Sequence, residues 1–250
     1  MNIEHRTQNV ELRTASHESR VTRHAFSLTE VLIAIGLLAV GMLFIAGAFP
    51  VSIHFTTVAT ERTIAPIVAD EAFAKIKLYG GISYISTASN AEFAYPSTPT
   101  SDPNSKQYWW SAISRSMDIN DVQVTVFVSR KVGKNTAYYM RGSNSLVSSS
   151  RPVPVFVSVS ARPGGMADEL LINDTLVPPN FINDGYTILD DTTGNIYRVL
   201  ERYSASPSVT NVIRLDKDWQ GVPSKVWVVP PPVNSSRYPC IGVYQKVMRF

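Results

Sequence analysis

Cysteine is nearly missing from this chain: Cys240 is the only one in 250 residues. An internal disulfide is excluded, as is any metal site built on several thiolates. Cys240 follows Pro239 in an apolar stretch and reads as a buried small hydrophobe, with an intermolecular disulfide or a lipid attachment as the other readings. Histidine is scarce as well, and all of it lies early: His5, His17, His24 and His54. The long remainder therefore has no histidine-based catalytic triad and lacks the usual zinc ligand sets. Blocks of lysine or arginine are also lacking. With 17% charged residues and a formal charge of +3, the chain does not have the electrostatic footprint of a nucleic-acid binder. No H-E-x-x-H, G-x-S-x-G, Walker or dinucleotide fingerprint occurs, nor any internal repeat, so neither an enzyme nor a cofactor is expected.

Long apolar runs are absent too, with one exception. Val31 to Phe49 reads VLIAIGLLAVGMLFIAGAF, without a charged or strongly polar residue. A helix of about 20 apolar residues spans the roughly 30 Å core of a bilayer. Between Phe26 and Phe55 the only acid or base of fixed charge is Glu30. On the N-terminal flank Arg20, Arg23 and His24 stand nearest the run, a placement that predicts a cytoplasmic N-terminus and an exported remainder. A conventional signal peptide has a shorter apolar core, about 7–15 residues, before a small-residue cut. Ala46-Gly47-Ala48 matches that cut, yet the apolar pattern continues past it through Val51, Ile53 and Phe55.

A carboxylate at the edge of a hydrocarbon segment is costly unless paired, so Glu30 is a functional residue by default. Its surroundings are Ala25-Phe26-Ser27-Leu28-Thr29-Glu30-Val31-Leu32-Ile33-Ala34. This stretch resembles the N-terminal signature of type IV pilins and type II secretion pseudopilins. A small residue precedes the cut, phenylalanine opens the mature chain, glutamate is its fifth residue, and an apolar run follows. The likeness covers roughly the first 80 residues. Ala25 stands where glycine is commonest, and Thr29 where an aliphatic residue is usual.

The resemblance implies a prepilin peptidase that cuts between Ala25 and Phe26, with N-methylation of the new Phe26 amine. That amine is a cation near neutral pH. It implies further that Glu30 pairs with the amine of a neighbouring subunit during assembly, penalising wrong register more than adding raw stability. A carboxylate snorkelling to the headgroups is the alternative for Glu30. The implied partners are other pilin or pseudopilin subunits, the peptidase and an inner-membrane assembly platform. The implied location is the inner membrane, with the head outside, and then a filament.

Pro50 lies near the end of the apolar run, where a proline removes a helical hydrogen bond and bends or melts the helix. Pilin-like stems often carry such a kink; Pro50 could equally mark an exit from the membrane. Beyond it, Ile64, Val68, Ala72 and Ile76, with Ile67 and Phe73 alongside, form a stripe that can pack on a core. Glu71 and Lys75 form a favourable i,i+4 pair, and Gly80-Gly81 is a helix stop. Pro66 predicts a second kink. The helix over 26–80 would be about 80 Å long.

The segment 81–118 reads as a linker and aromatic segment: residues from about 86 to 105 are rich in Ser, Thr, Pro, Asn and Ala and read as a loop, and the trio Tyr108-Trp109-Trp110 follows. The trio suits a core or interface, with a binding platform as the alternative. From 119 to 250 strands dominate. Val122, Val124, Val126 and Val128 alternate with other residues, as do Val153, Val155, Val157 and Val159. Further strands are expected over 169–176, 186–189, 195–201, 211–215, 225–229 and 241–248, with 142–150 as a loop. Asp190, Asp191 and Asn195 fall in a turn and are a weak calcium candidate, as in some pseudopilin heads. Asp, Gly and Asn are also what a tight turn requires.

The expected fold is α+β: a long N-terminal helix packed on an antiparallel sheet head. The expected organisation is a leader at 1–25, a helix at 26–80 that spans the membrane to about 55, a linker and aromatic segment at 81–118 and an exported head at 119–250. The expected function is a structural subunit of a type IV pilus-like or pseudopilus filament, the large disulfide-free head suiting a minor component. The alternative is an anchored or secreted binding domain or enzyme with an ordinary export signal.

Overall fold

A computed structural model describes residues 26–80, 83, 85, 90–96, 106–133, 136–141, 146–206 and 210–250. The chain divides into two units, Met1–His54 and Phe55–Phe250. Helix α1 (Leu28–Tyr79) contributes to both.

In the first unit α1 is bare. Every described residue from 26 to 54 is exposed. Even its best covered large apolar side chain, Val31, is 44% exposed. Each such Leu, Ile or Phe left in water forfeits about 1.5–3 kcal/mol. A helix that is apolar all round belongs in a bilayer or inside a bundle of other helices.

In the second unit the same helix acquires a buried face. Ala65, Val68, Ala69, Ala72, Phe73 and Ile76 are buried, at the spacing of a single helical stripe. The stripe is rotated slightly from the one expected: Ile64 is only partly buried and Ile67 is 51% exposed, while Ala65 and Ala69 face the core. Small residues there let the helix approach the sheet closely. The Glu71–Lys75 pair forms at 3.0 Å. Gly80, at φ +99°, takes the left-handed conformation that ends helices. The helix is continuous through Pro50 and Pro66.

The stripe packs on a four-stranded antiparallel sheet of order β1-β2-β3-β12: β1 (Ala94–Tyr95), β2 (Tyr108–Ser116), β3 (Asp121–Arg130) and β12 (Cys240–Arg249). Val122, Val124, Val126 and Val128 of β3 form the helix-facing core together with Met248 and Trp110. The other face of β3 is buried too. Thr125, Phe127 and Ser129 are at most 3% exposed, and Phe127 packs with Leu189, Val229 and Cys240.

What covers that second face is a separate β body. Strands β6 (Val155–Ala161), β7 (Glu169–Ile172), β8 (Thr187–Asp190), β9 (Ile196–Tyr203), β10 (Val212–Leu215) and β11 (Lys225–Val228) close into a barrel of order β10-β7-β6-β11-β8-β9. All its pairings are antiparallel. Closure leaves the barrel no free edge. Its interior is filled by Val155, Val157, Ile188, Val199, Ile213 and Val226, among others. A hairpin of β4 (Tyr138–Arg141) and β5 (Leu146–Ser149) precedes it, with Tyr139 against Phe181 of the barrel core at 4.8 Å.

The α+β class stands, but the head is not one sheet. The barrel is inserted between β3 and β12, adjacent strands of the sheet. Tyr108–Ser116, expected to open with an aromatic segment and not as a strand, is a sheet strand with both Trp109 and Trp110 buried, so the aromatic trio is core rather than platform. Leu146–Ser149, expected as loop, pairs with β4. The expected linker positions 97–105 and loop positions 142–145 lie outside the described residues.

Candidate functional site: the bare helix and its first turn

Local chemistry starts the helix at Ser27. Its carbonyl accepts hydrogen bonds from the amides of Glu30 (3.0 Å) and Val31 (3.1 Å). Its hydroxyl lies 2.6 Å from that of Thr29. Ser27-Leu28-Thr29-Glu30 has the Ser-x-x-Glu spacing of a capping box. Glu30 is exposed in the first turn, where the partial positive charge of the helix N-terminus favours an anion. The spacing is readable in the sequence, and the first-turn position of Glu30 gives it a reason to exist besides a charge partner. The two roles have different requirements: a cap accepts Glu or Gln, whereas an ion pair needs the charge.

Ala25 lies outside the described residues. Phe26 precedes α1 and is 77% exposed. Phe26, Glu30, Val31, Ala34, Ile35 and Leu38 line one shallow, almost wholly apolar depression on the helix, with Glu30 as its acid. Gly36, Gly41 and Gly47 have open space where a Cβ would stand, so the surface carries shallow notches suited to close helix contact. Pro50 sits within the helix, in the exposed unit. One helix is thus long and apolar enough to cross a membrane, with none of its apolar window buried, which is compatible with a single-pass membrane protein.

Asp190, Asp191 and Asn195 are brought together on the β8–β9 turn, and their hydrogen bonds are largely spent there. Asp190, 1% exposed, accepts from the amides of Thr192 (2.9 Å) and Thr193 (3.1 Å), and from the Thr193 hydroxyl. Asp191 accepts from the Trp227 indole at 2.6 Å. The turn is also bolted to the sheet. Arg115 donates to the Thr193 carbonyl, and Gln245 donates to the Gly194 carbonyl at 2.6 Å. Gly194 has φ +73°, and a Cβ there would collide with the Gln123 side chain, so glycine is required twice over. These contacts make the acidic turn a joint between barrel and sheet. Among the described residues, no three His, Cys, Asp or Glu side chains are grouped to hold a metal ion.

Cys240 is buried in the seam between sheet and barrel, and burial pushes its thiol pKa up to about 11. Two latches were not visible from local sequence. Arg130, at the end of β3, donates to Glu61 of α1 and to the Tyr238 carbonyl at 3.5 Å. Glu169 accepts from Arg162 (2.7 Å), from the Met166 amide (3.0 Å) and from the Tyr203 hydroxyl. The Tyr203 hydroxyl, then the Met166 amide and Arg162, hold the Glu169 carboxyl below the usual carboxylate range.

No protein-family model, curated protein or solved structure matches the chain. Its functional reading rests on its own residues.

Proposed function

We propose that the chain is a filament subunit of the type IV pilin or pseudopilin kind, cut before Phe26, anchored by residues 26 to about 55 and assembled through that helix. One observation carries the reading: an acid, Glu30, stands in the first turn of a helix whose next 19 residues, Val31 to Phe49, are apolar and bare on every side. Pairing Glu30 with the terminal amine of a neighbour removes two costly charges from the apolar bundle and penalises every other register. The head is then carried outside the inner membrane, opposite the arginine-flanked N-terminus. A prepilin peptidase and an inner-membrane assembly platform are the partners this requires.

The test separates cap from charge. Glu30→Gln retains a capping-box residue and deletes the anion; Glu30→Ala deletes both. Expressed in the native host, both variants are expected to enter the membrane and to be missing from sheared filaments or cross-linked oligomers. Incorporation of Glu30→Gln at the wild-type level would sink the register role and leave Glu30 as a cap. Retention of both variants in the membrane with no oligomer in the wild type either would favour the anchored-domain alternative.

A further inference from the structure

The four-stranded sheet ends in β12, ten residues long, whose only strand partner among the described residues is β3. Its outer edge presents backbone N–H and C=O groups to no further ladder strand, which makes it a template for an added strand. Between α1 and β12 lies a groove of about 260 Å³ lined by Phe73 and Ala74 together with Asp70, Lys77, Lys246 and Arg249. Met248 and Lys246 point to the helix side, Met248 into the core and the Lys246 ammonium over the Phe73 ring at 5.9 Å. A strand laid alongside β12 would sit roughly 4.8 Å away and send alternate side chains toward Phe73 and Ala74. Ala74 is exposed and small, so the groove has room for them.

Charge selects the occupant. Three cations and one acid surround the groove, all exposed. Arg249 reaches Asp121 only at 3.5 Å, with both side chains open to solvent, a pair of little strength. β12 itself contains Lys246 and Arg249 and no acid, so a copy of the same strand paired with it would oppose like charges, which is destabilising.

We propose that the free edge of β12 and its groove receive an extended acidic segment of another protein, added as a fifth strand to the sheet. All the residues of this site belong to the second unit, and the proposal is independent of how the N-terminus is processed. The test uses the full chain in detergent micelles and three fluorescent octapeptides: alternating Val-Glu, alternating Val-Lys, and Val-Glu N-methylated along both backbone edges. Fluorescence anisotropy is expected to show saturable binding of the Val-Glu peptide, about tenfold weaker binding of Val-Lys from the loss of two exposed ion pairs, and none of the N-methylated form. Lys246→Glu with Arg249→Glu, both exposed positions, should reverse the preference between acidic and basic peptides. No saturable binding of Val-Glu would overturn the proposal and leave Lys246 as a guard against edge pairing. Equal binding of the acidic and basic peptides, or undiminished binding of the N-methylated one, would overturn it as well.

Discussion

Glu61→Ala should destabilise the head by about 2–3 kcal/mol, a little under the roughly 3–5 kcal/mol that removing one partner from a fully buried ion pair costs. The side chains of Arg130 and Glu61 are only 18% and 13% exposed, so the Arg130 guanidinium cannot turn freely to water once the carboxylate is gone. Its Nε is already buried without a hydrogen-bond partner, and the Tyr238 carbonyl at 3.5 Å is a weak substitute. The pair ties α1 to the end of β3, and Arg130 also contacts the segment returning from the barrel to β12. The loss should therefore loosen the helix, the sheet and that return together. Urea unfolding of the detergent-solubilised chain, followed by fluorescence of the buried Trp109 and Trp110, gives the assay. At an m-value of about 2 kcal/mol/M the midpoint falls by about 1 M or more. Arg130→Met should cost a similar amount. The double variant Glu61→Ala with Arg130→Met should recover at least about 1.5 kcal/mol of the summed loss, because no charge is then stranded. Single variants that each cost below about 0.5 kcal/mol, or a double variant that is simply additive, would refute this account of the latch.

Three further outcomes follow from the same structure. Cys240, buried and with its thiol pushed up to about 11, should resist alkylation at neutral pH in the folded chain and react at an ordinary rate after denaturation; rapid labelling of native protein would contradict its placement in the seam. The Glu169 carboxyl is held below its ordinary value when folded, so its stabilising contribution is complete above the unfolded pKa and is lost as pH falls through the depressed folded value. Glu169→Gln should flatten that acid limb in a pH series of thermal melts, and an unchanged limb would remove the latch from the account. Leu38→Arg places a cation near the middle of the bare helix at a cost of about 2.5–3.5 kcal/mol for insertion; alkaline extraction should release much of this variant while the wild type stays in the pellet.

The parts of the fold that could be read from sequence are those encoded locally. The apolar run of α1 and the alternating valines of β3 and β6 are recognisable within a dozen residues, whoever their neighbours are. β2 was not recognisable, since Ser111, Ser114 and Ser116 dilute its alternation and Trp109 and Trp110 are buried side by side. Barrel closure was out of reach for a different reason: β11 pairs with both β6 and β8, and β10 with both β7 and β9, choices that alternation within a strand does not encode. The same limit hid the purpose of the acidic turn. Asp190 and Gly194 looked like turn residues, and they are, but the bonds that make the turn a joint come from Arg115 and Gln245, 78 and 51 residues away from their acceptors. At the candidate site, Glu30 stood out as one charge in an apolar run, and its contrast with that run drew attention away from its first-turn position after Ser27, whose carbonyl accepts from the Glu30 amide.

The central claim is that the bare helix survives as the N-terminus of an assembling subunit, and the mass of the mature N-terminal peptide from native membranes tests it most directly. The account predicts a chain that starts at Phe26 and carries a methyl group on its α-amine. A start at Phe49, or an intact Met1, would contradict it and make Glu30 incidental to an ordinary exported or anchored protein.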